Sequence, residues 1–216
     1  MSAFARATRR LAALAFVAAP LAAQVAVPAG WQARVDGGGM DHGDGGKVTM
    51  VVMKPGWHVT TGPAAILWSD AMRARGDWRL EATLFLFNPG GRAEGFGVFF
   101  GGSDLASPRQ RYGYALLRRD GRALLKVRDG AATRTVRDWT AHPAIPVFAG
   151  TGPNANVKYP LVVEARGDRV MILVGGTKVL DAPRAELPAD GTVGLRINHA
   201  LNVHVESIAV VPLAKR

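Results

Sequence analysis

Two stretches of this 216-residue chain concentrate side chains that could bind or act on a small polar ligand. The first is Gly56 to Trp68 (GWHVTTGPAAILW), which holds Trp57, His58 and Trp68. Indole rings can pack on a sugar, and an imidazole can hydrogen-bond hydroxyl groups or exchange a proton near neutral pH. The alternative is that both tryptophans fill a core and His58 bonds a backbone group, because large aromatic residues are commonly buried.

The second stretch lies near the C-terminus and contains Asn198, His199, Asn202 and His204. On a strand, the alternation of side chains places Asn202 and His204 on one face. Two imidazoles and two amides could hold a sugar or a divalent cation, although zinc sites usually add a further Cys, His or carboxylate at a regular interval. A solvated polar face is the alternative. We therefore assign no metal-binding residue and expect no cofactor. Whether a divalent metal ion binds is left open by the sequence.

A third set combines tyrosine with arginine around the turn Asp120-Gly121. Tyr112, Tyr114 and Arg118 share one face of an alternating segment and could grip an acidic or oxidised sugar. Equally, the charges could protect an exposed strand from pairing with other chains. The glycine-rich stretch Asp36 to Gly46 offers oxygen ligands that would suit calcium. It matches no calcium-loop interval, and its composition is typical of a loop.

Segments that alternate apolar and polar residues with a period of two must position these side chains. One such segment is Asp77 to Phe87. Period two is the signature of a half-buried β-strand. The same pattern recurs in Arg169 to Val174 and in Gly191 to Ile197. In Asp77 to Phe87 the face expected to point inward carries Trp78, Leu80, Ala82, Leu84 and Leu86.

Glycine-containing turns separate these segments at the spacing of antiparallel hairpins, as at Asp120-Gly121, Gly167-Asp168 and Gly175-Gly176. About a dozen strands result, which predicts an all-β antiparallel two-sheet sandwich of the jelly-roll kind. Near the C-terminus the apolar residues switch from odd-numbered positions, the last being Val205, to even-numbered positions, the first being Ile208. A β-bulge at Glu206-Ser207 is therefore expected.

The first 23 residues predict a secretory signal peptide, because three arginines precede the apolar run Leu11 to Ala19 and a small-residue stretch. The apolar run is too short to span a bilayer, so no membrane insertion is expected. We expect a secreted or periplasmic protein in which residues 24–46 form an N-terminal segment with the glycine-rich loop and residues 47–216 form the sandwich domain.

The composition narrows the possible partners and stabilising links. The chain contains no cysteine, so its core must stabilise it without disulfides. The formal net charge is +10, but the basic residues are scattered and no RNA-binding or recognition-helix motif accompanies them. Nucleic acid is therefore not an expected partner.

Several phrases resemble the 3-keto-disaccharide hydrolase domain family, a branch of the concanavalin A-like lectin/glucanase folds. They are Gly76 to Glu81, the hairpin from Tyr112 through Gly121, Leu161 to Ala165 with Gly175-Gly176, and Gly191 to His199. The resemblance covers most of residues 47–212. It implies a concanavalin A-like jelly roll and activity on a glycoside or a 3-keto sugar.

The carboxylate pattern of the family-16 glucanases, which share this fold, is missing. None of the five glutamates has an acidic residue two positions away. A retaining mechanism needs two carboxyl groups about 5–5.5 Å apart, so cleavage by that arrangement is not expected.

The leading hypothesis is a secreted domain that holds carbohydrate in a sheet concavity or rim groove. The alternative is a glycosidase-like hydrolase or lyase in which His58 and His204 are the catalytic residues, with or without a metal. A non-catalytic interaction module is the third possibility. The residues expected to contact the glycan are Trp57, Trp68, Tyr114, Arg118, Asn198, His199 and Asn202.

Overall fold

The structure is a computed structural model that describes residues 28–36 and 47–214. The predicted signal peptide and Asp41, His42 and Asp44 of the glycine-rich stretch lie outside the described residues. The described residues form fourteen strands and one 3-10 turn. They are β1 (Trp31–Val35), β2 (Val48–Val52), β3 (Trp57–Thr61), β4 (Ala65–Ala74), β5 (Trp78–Phe87), β6 (Gly95–Ser103), β7 (Arg111–Arg118), β8 (Arg122–Asp129), β9 (Ala132–Ala141), β10 (Asn156–Arg166), β11 (Arg169–Val174), β12 (Thr177–Pro183), the 3-10 turn Arg184–Glu186, β13 (Gly191–Ile197) and β14 (Asn202–Pro212).

These strands make two antiparallel sheets of seven strands each. The first sheet has the order β1-β4-β13-β6-β7-β8-β9, and the second has the order β12-β11-β10-β5-β14-β3-β2. Neighbours such as β4 and β13 are distant in sequence, as the crossovers of a jelly roll require. The predicted all-β two-sheet sandwich is confirmed.

The core lies between the inner faces of the two sheets and follows the predicted alternation. Every inward residue of β5 from Trp78 to Leu86 is buried, and the inward residues of β11 and β13 join the same apolar cluster. The Trp78 indole also donates a hydrogen bond of 3.1 Å to the Ala189 carbonyl oxygen. Apolar burial of this extent is the main stabilising contribution in a chain without disulfides.

The predicted turn and bulge positions are confirmed. The hairpin between β7 and β8 turns at Asp120-Gly121, where Gly121 has a φ of +76°, a conformation that suits glycine. The pairing of β14 with β5 shifts register between Val205 and Ser207. This bulge keeps Val203 and Val205 in the core cluster and lets Ile208 and Val210 pack against it.

The sandwich begins earlier in the chain than residue 47, which corrects the predicted domain boundary. Strand β1, within the segment set apart as residues 24–46, pairs with β4 along its whole length. Arg34 ties β1 further to the loop after β6 by donating hydrogen bonds to the carbonyl oxygens of Leu105 and Ser107. The sequence WQARV does not predict a strand clearly, because the segment is short and only partly apolar.

A second apolar cluster covers the outer face of the first sheet and surrounds a buried charge. It includes Tyr112 and Tyr114, and Leu105 from the loop after β6 packs into it. The Arg196 guanidinium lies in this layer and contacts Asp36, with 2.5 Å between Nη1 and Oδ2. Asp36 Oδ2 also lies 3.2 Å from Arg128 Nη1. One carboxylate oxygen therefore compensates two guanidinium groups.

Candidate functional site

The two histidines predicted to be catalytic meet on the outer face of the second sheet. His58 on β3 and His204 on β14 are directly opposite each other in the strand register. Both rings point away from the core because their neighbours Trp57, Val59 and Val203 point inward. The Nδ1 atoms of the two rings are 3.2 Å apart.

This contact fixes how protons can be arranged on the pair. A hydrogen bond between the two Nδ1 atoms requires one ring to donate and the other to accept, so the contact holds a single proton. Burial lowers the pKa of His58, the adjacent His204 lowers it further, and the Asn202 side chain acts in the opposite direction. Burial and the second imidazole therefore favour the neutral form of the His58 imidazole, which can both donate and accept hydrogen bonds.

Two phenylalanines that the sequence analysis missed flank the pair. The centroid of the Phe87 ring lies 4.8 Å from that of His58, and Phe85 lies 5.9 Å from His204. Both phenylalanines are half-buried on the outer face of β5. The sequence could have identified these two residues, because they continue the series of outward-facing positions occupied by Arg79, Glu81 and Thr83. We call the group His58, Phe85, Phe87, Asn202 and His204 the imidazole patch.

Polar groups border the imidazole patch on two sides. On one side, Lys158 lies 5.2 Å above the Phe85 ring and forms an ion pair of 3.0 Å with Glu206. On the other side, an open pocket of about 420 Å³ is lined by residues that include Asn88, Arg92 and Asn202. The side-chain oxygen of Asn202 is buried and has no hydrogen-bond partner. The patch thus combines aromatic surface with donors and acceptors next to a recess of ligand size.

Trp57 does not belong to this surface, which corrects the expectation that its ring stacks on a sugar. Its side chain points into the core, only 7% of its surface is exposed, and its ring centroid lies 4.7 Å from that of Trp31. Strand alternation explains the difference, because neighbours on a strand face opposite sides of the sheet. With His58 outward, Trp57 must be inward.

Trp68, Tyr114 and Arg118 lie on the first sheet, with the core between them and the imidazole patch. The Trp68 indole donates a hydrogen bond of 3.2 Å to Asp70 and lines an open pocket of about 550 Å³. Tyr114 is buried, and its ring lies 5.7 Å from the Arg196 guanidinium. These side chains therefore do not share one site with His58 and His204.

Arg118 is engaged by its own hairpin. Its guanidinium makes two hydrogen bonds to Asp120, of 2.7 and 2.5 Å, and packs 4.7 Å from the centroid of the Trp139 ring. These contacts raise the pKa of Arg118 and lower that of Asp120. Bidentate pairing of this kind fixes the guanidinium locally.

Asn198 and His199 lie beside each other in the turn between β13 and β14. His199 faces Glu94, with 3.7 Å between Nδ1 and Oε2. The Asn198 carbonyl oxygen accepts a hydrogen bond of 2.6 Å from the Thr61 hydroxyl. Of the three histidines expected to share a site, the structure pairs His58 with His204 and places His199 at the rim.

Within residues 28–36 and 47–214, no group of three or more His, Cys, Asp or Glu side chains is placed to hold a metal ion. In the same residues, no helix has the length and apolar character needed to cross a bilayer.

Comparisons with known proteins bear on the fold. No family model and no curated protein matches the chain. Among solved structures, a CBM66 carbohydrate-binding module from Bacillus subtilis is similar with a TM-score of 0.61 and 17% identity, covering 84% of this chain and 94% of that one. The exoplasmic/lumenal domain of VIP36 in its Ca²⁺/Man-bound form has a TM-score of 0.58 and 10% identity, covering 87% and 84%.

A Bacillus subtilis protein of unknown function with a galectin-like fold has a TM-score of 0.57 and 12% identity, covering 86% of this chain and 90% of that one. These likenesses confirm the concanavalin A-like jelly roll. They give no support to the narrower resemblance to the 3-keto-disaccharide hydrolase family.

Proposed function

We propose that this chain is a carbohydrate-binding domain whose glycan lies on the imidazole patch. The observation that carries the proposal is the half-exposed pair of rings, Phe85 and Phe87, in contact with two outward imidazoles. A sugar presents an apolar C–H face and a rim of hydroxyl groups. The aromatic rings pack on the first, while His58, His204 and Asn202 hydrogen-bond the second.

The outer face of the first sheet is less suited to neutral sugars. Only 4% of the surface of Trp68 and 6% of that of Tyr114 is exposed, so these rings offer little area for packing. Similar solved structures add support through their names, since they include a carbohydrate-binding module and a Man-bound lumenal domain. The predicted signal peptide leads us to propose that the domain acts after export, in the periplasm or outside the cell.

The test is the removal of one aromatic ring from the patch. Phe85→Ala is expected to weaken binding to a polysaccharide ligand by about two- to tenfold, because the packing of an aromatic ring contributes roughly 0.5–1.5 kcal/mol. Affinity electrophoresis against a panel of neutral polysaccharides identifies the ligand, and calorimetry then measures its Kd. Met171→Ala, on the outer face of β11 in the same sheet, is the matched control and should bind like the wild type.

Two outcomes would overturn this assignment. One is a Phe85→Ala variant that melts like the wild type and binds with unchanged affinity. The other is an equal loss of glycan affinity in Met171→Ala, which would show that the glycan lies elsewhere on the sheet or that the loss is not specific to the imidazole patch.

Acid–base catalysis on a bound sugar is the second candidate function. The observation that favours it is the lowered pKa of His58, because a neutral imidazole in contact with a second imidazole can take a proton near neutral pH. On this hypothesis the pair would act on a glycoside or 3-keto sugar. His58→Ala should then reduce turnover of a 3-keto glycoside at least about 100-fold. If the wild-type protein does not turn over the 3-keto glycoside, or if His58→Ala does so at the wild-type rate, the catalytic hypothesis is wrong and only the binding function remains.

A further inference from the structure

We propose that His58 and His204 bind one first-row transition-metal ion of the Zn²⁺ or Cu²⁺ class. The inference uses the imidazole patch but does not depend on sugar binding, and it goes beyond the expectation of no cofactor. It rests on the placement of two nitrogen donors by a rigid sheet.

The backbone holds the two rings in place before any ion binds. His58 and His204 are cross-strand partners, and their strands lie inside the second sheet, with β2 outside β3 and β5 beyond β14. The ring centroids are 5.3 Å apart. Donors fixed by regular strands lose little freedom on binding, which favours affinity.

The distance between the nitrogens fits a common ion. Zn–N bonds to histidine are about 2.0–2.1 Å long, so two Nδ1 atoms 3.2 Å apart subtend an angle of roughly 100° at an ion lying off the line between them. That angle is close to the tetrahedral value. A divalent ion can therefore replace the single proton that links the two nitrogens, with only small adjustments of the rings.

The surroundings supply a further oxygen ligand from the protein. Asn202 lies beside His58 on the same face, and its side-chain oxygen, which faces the His58 ring, is the candidate third donor. Water or a sugar hydroxyl would complete the coordination, as in zinc sites that keep an open position. Of the cations that border the patch, Lys158 is paired with Glu206, and Arg92 lines the same pocket as Asn202. Imidazole donors select zinc, copper or nickel over calcium.

Calorimetry with the full chain, treated with chelator and then dialysed, tests the site without any sugar. Zn²⁺ should bind with a stoichiometry of one per chain. His58→Ala and His204→Ala should each weaken binding at least about tenfold, because even the loss of a supporting partner of a ligand typically costs 10–100-fold. His142→Ala is the matched control, since its ring accepts a hydrogen bond from the Ala144 amide in a separate loop. His42→Ala checks the glycine-rich stretch.

Spectroscopy provides a second readout that separates ligation from folding. With Cu²⁺, the wild type should show electron paramagnetic resonance splitting from two nitrogen ligands, and His204→Gln should reduce it to one. Phe85→Ala should keep full metal binding even if it loses glycan binding, so the two proposals can fail separately. Absence of saturable binding, or a wild-type affinity for Zn²⁺ in either histidine variant, would overturn the metal site.

Discussion

Asp36→Ala is expected to lower the free energy of unfolding by about 3–5 kcal/mol, the range found when one partner of a buried ion pair is removed. Arg196 lies in the middle of the first sheet, and only 8% of its side chain is exposed. Its contact with Asp36 Oδ2 is the short ion pair of 2.5 Å. Without that carboxylate, a guanidinium would stay buried with the Tyr112 hydroxyl and the Tyr114 ring as its neighbours.

The loss should come from uncompensated charge rather than from missing packing. The double variant Asp36→Ala/Arg196→Met should therefore recover part of the stability, because it removes the buried Arg196 charge and leaves only Arg128 without its carboxylate partner. Urea denaturation followed by fluorescence measures all three proteins.

Asp129→Ala is the surface control for this experiment. Asp129 pairs with Arg111 at 4.0 Å, and 74% of its side chain is exposed, so its removal should change stability by less than about 1 kcal/mol. A similar small loss for Asp36→Ala, or a double variant less stable than the single one, would show that Arg196 is compensated in another way.

The fold was predictable because its strands obey local rules. Alternation identified the inward face of β5, glycine-containing turns located the hairpins, and a parity change located the bulge after Val205. The same alternation also implies that adjacent Trp57 and His58 cannot share a surface, and that Phe85 and Phe87 face outward.

The site could not be predicted because it depends on pairing between distant segments. His58 and His204 are 146 positions apart, and nothing local determines that β14 inserts between β3 and β5 in this register. Asp36 was hidden in the same way, since its carboxylate looks like part of a glycine-rich loop until β1 pairs with β4 and brings it to Arg196. Sheet order is set by the global packing of the core.

Gly97→Ala is the second substitution with a large expected effect. Gly97 lies in β6, between β13 and β7 of the first sheet. A Cβ atom added there would lie 2.2 Å from the Ala115 carbonyl oxygen and 3.2 Å from the Leu116 Cα. Since the obstacle is backbone of the paired strand, relief requires β6 and β7 to separate. We expect a loss of about 3 kcal/mol, the upper part of the range for overpacking.

Gly91→Ala separates this steric effect from the general consequence of replacing glycine. A Cβ at Gly91 would meet nothing within 4 Å, and its backbone is not left-handed, so stability should stay within about 0.5–1 kcal/mol of the wild type. Because β6 lies in the sheet opposite the imidazole patch, the folded fraction of Gly97→Ala should still bind glycan with wild-type affinity. Loss of binding in that folded fraction would mean that the two sheets are coupled, and that the spacing of β6 and β7 sets the position of the imidazole patch.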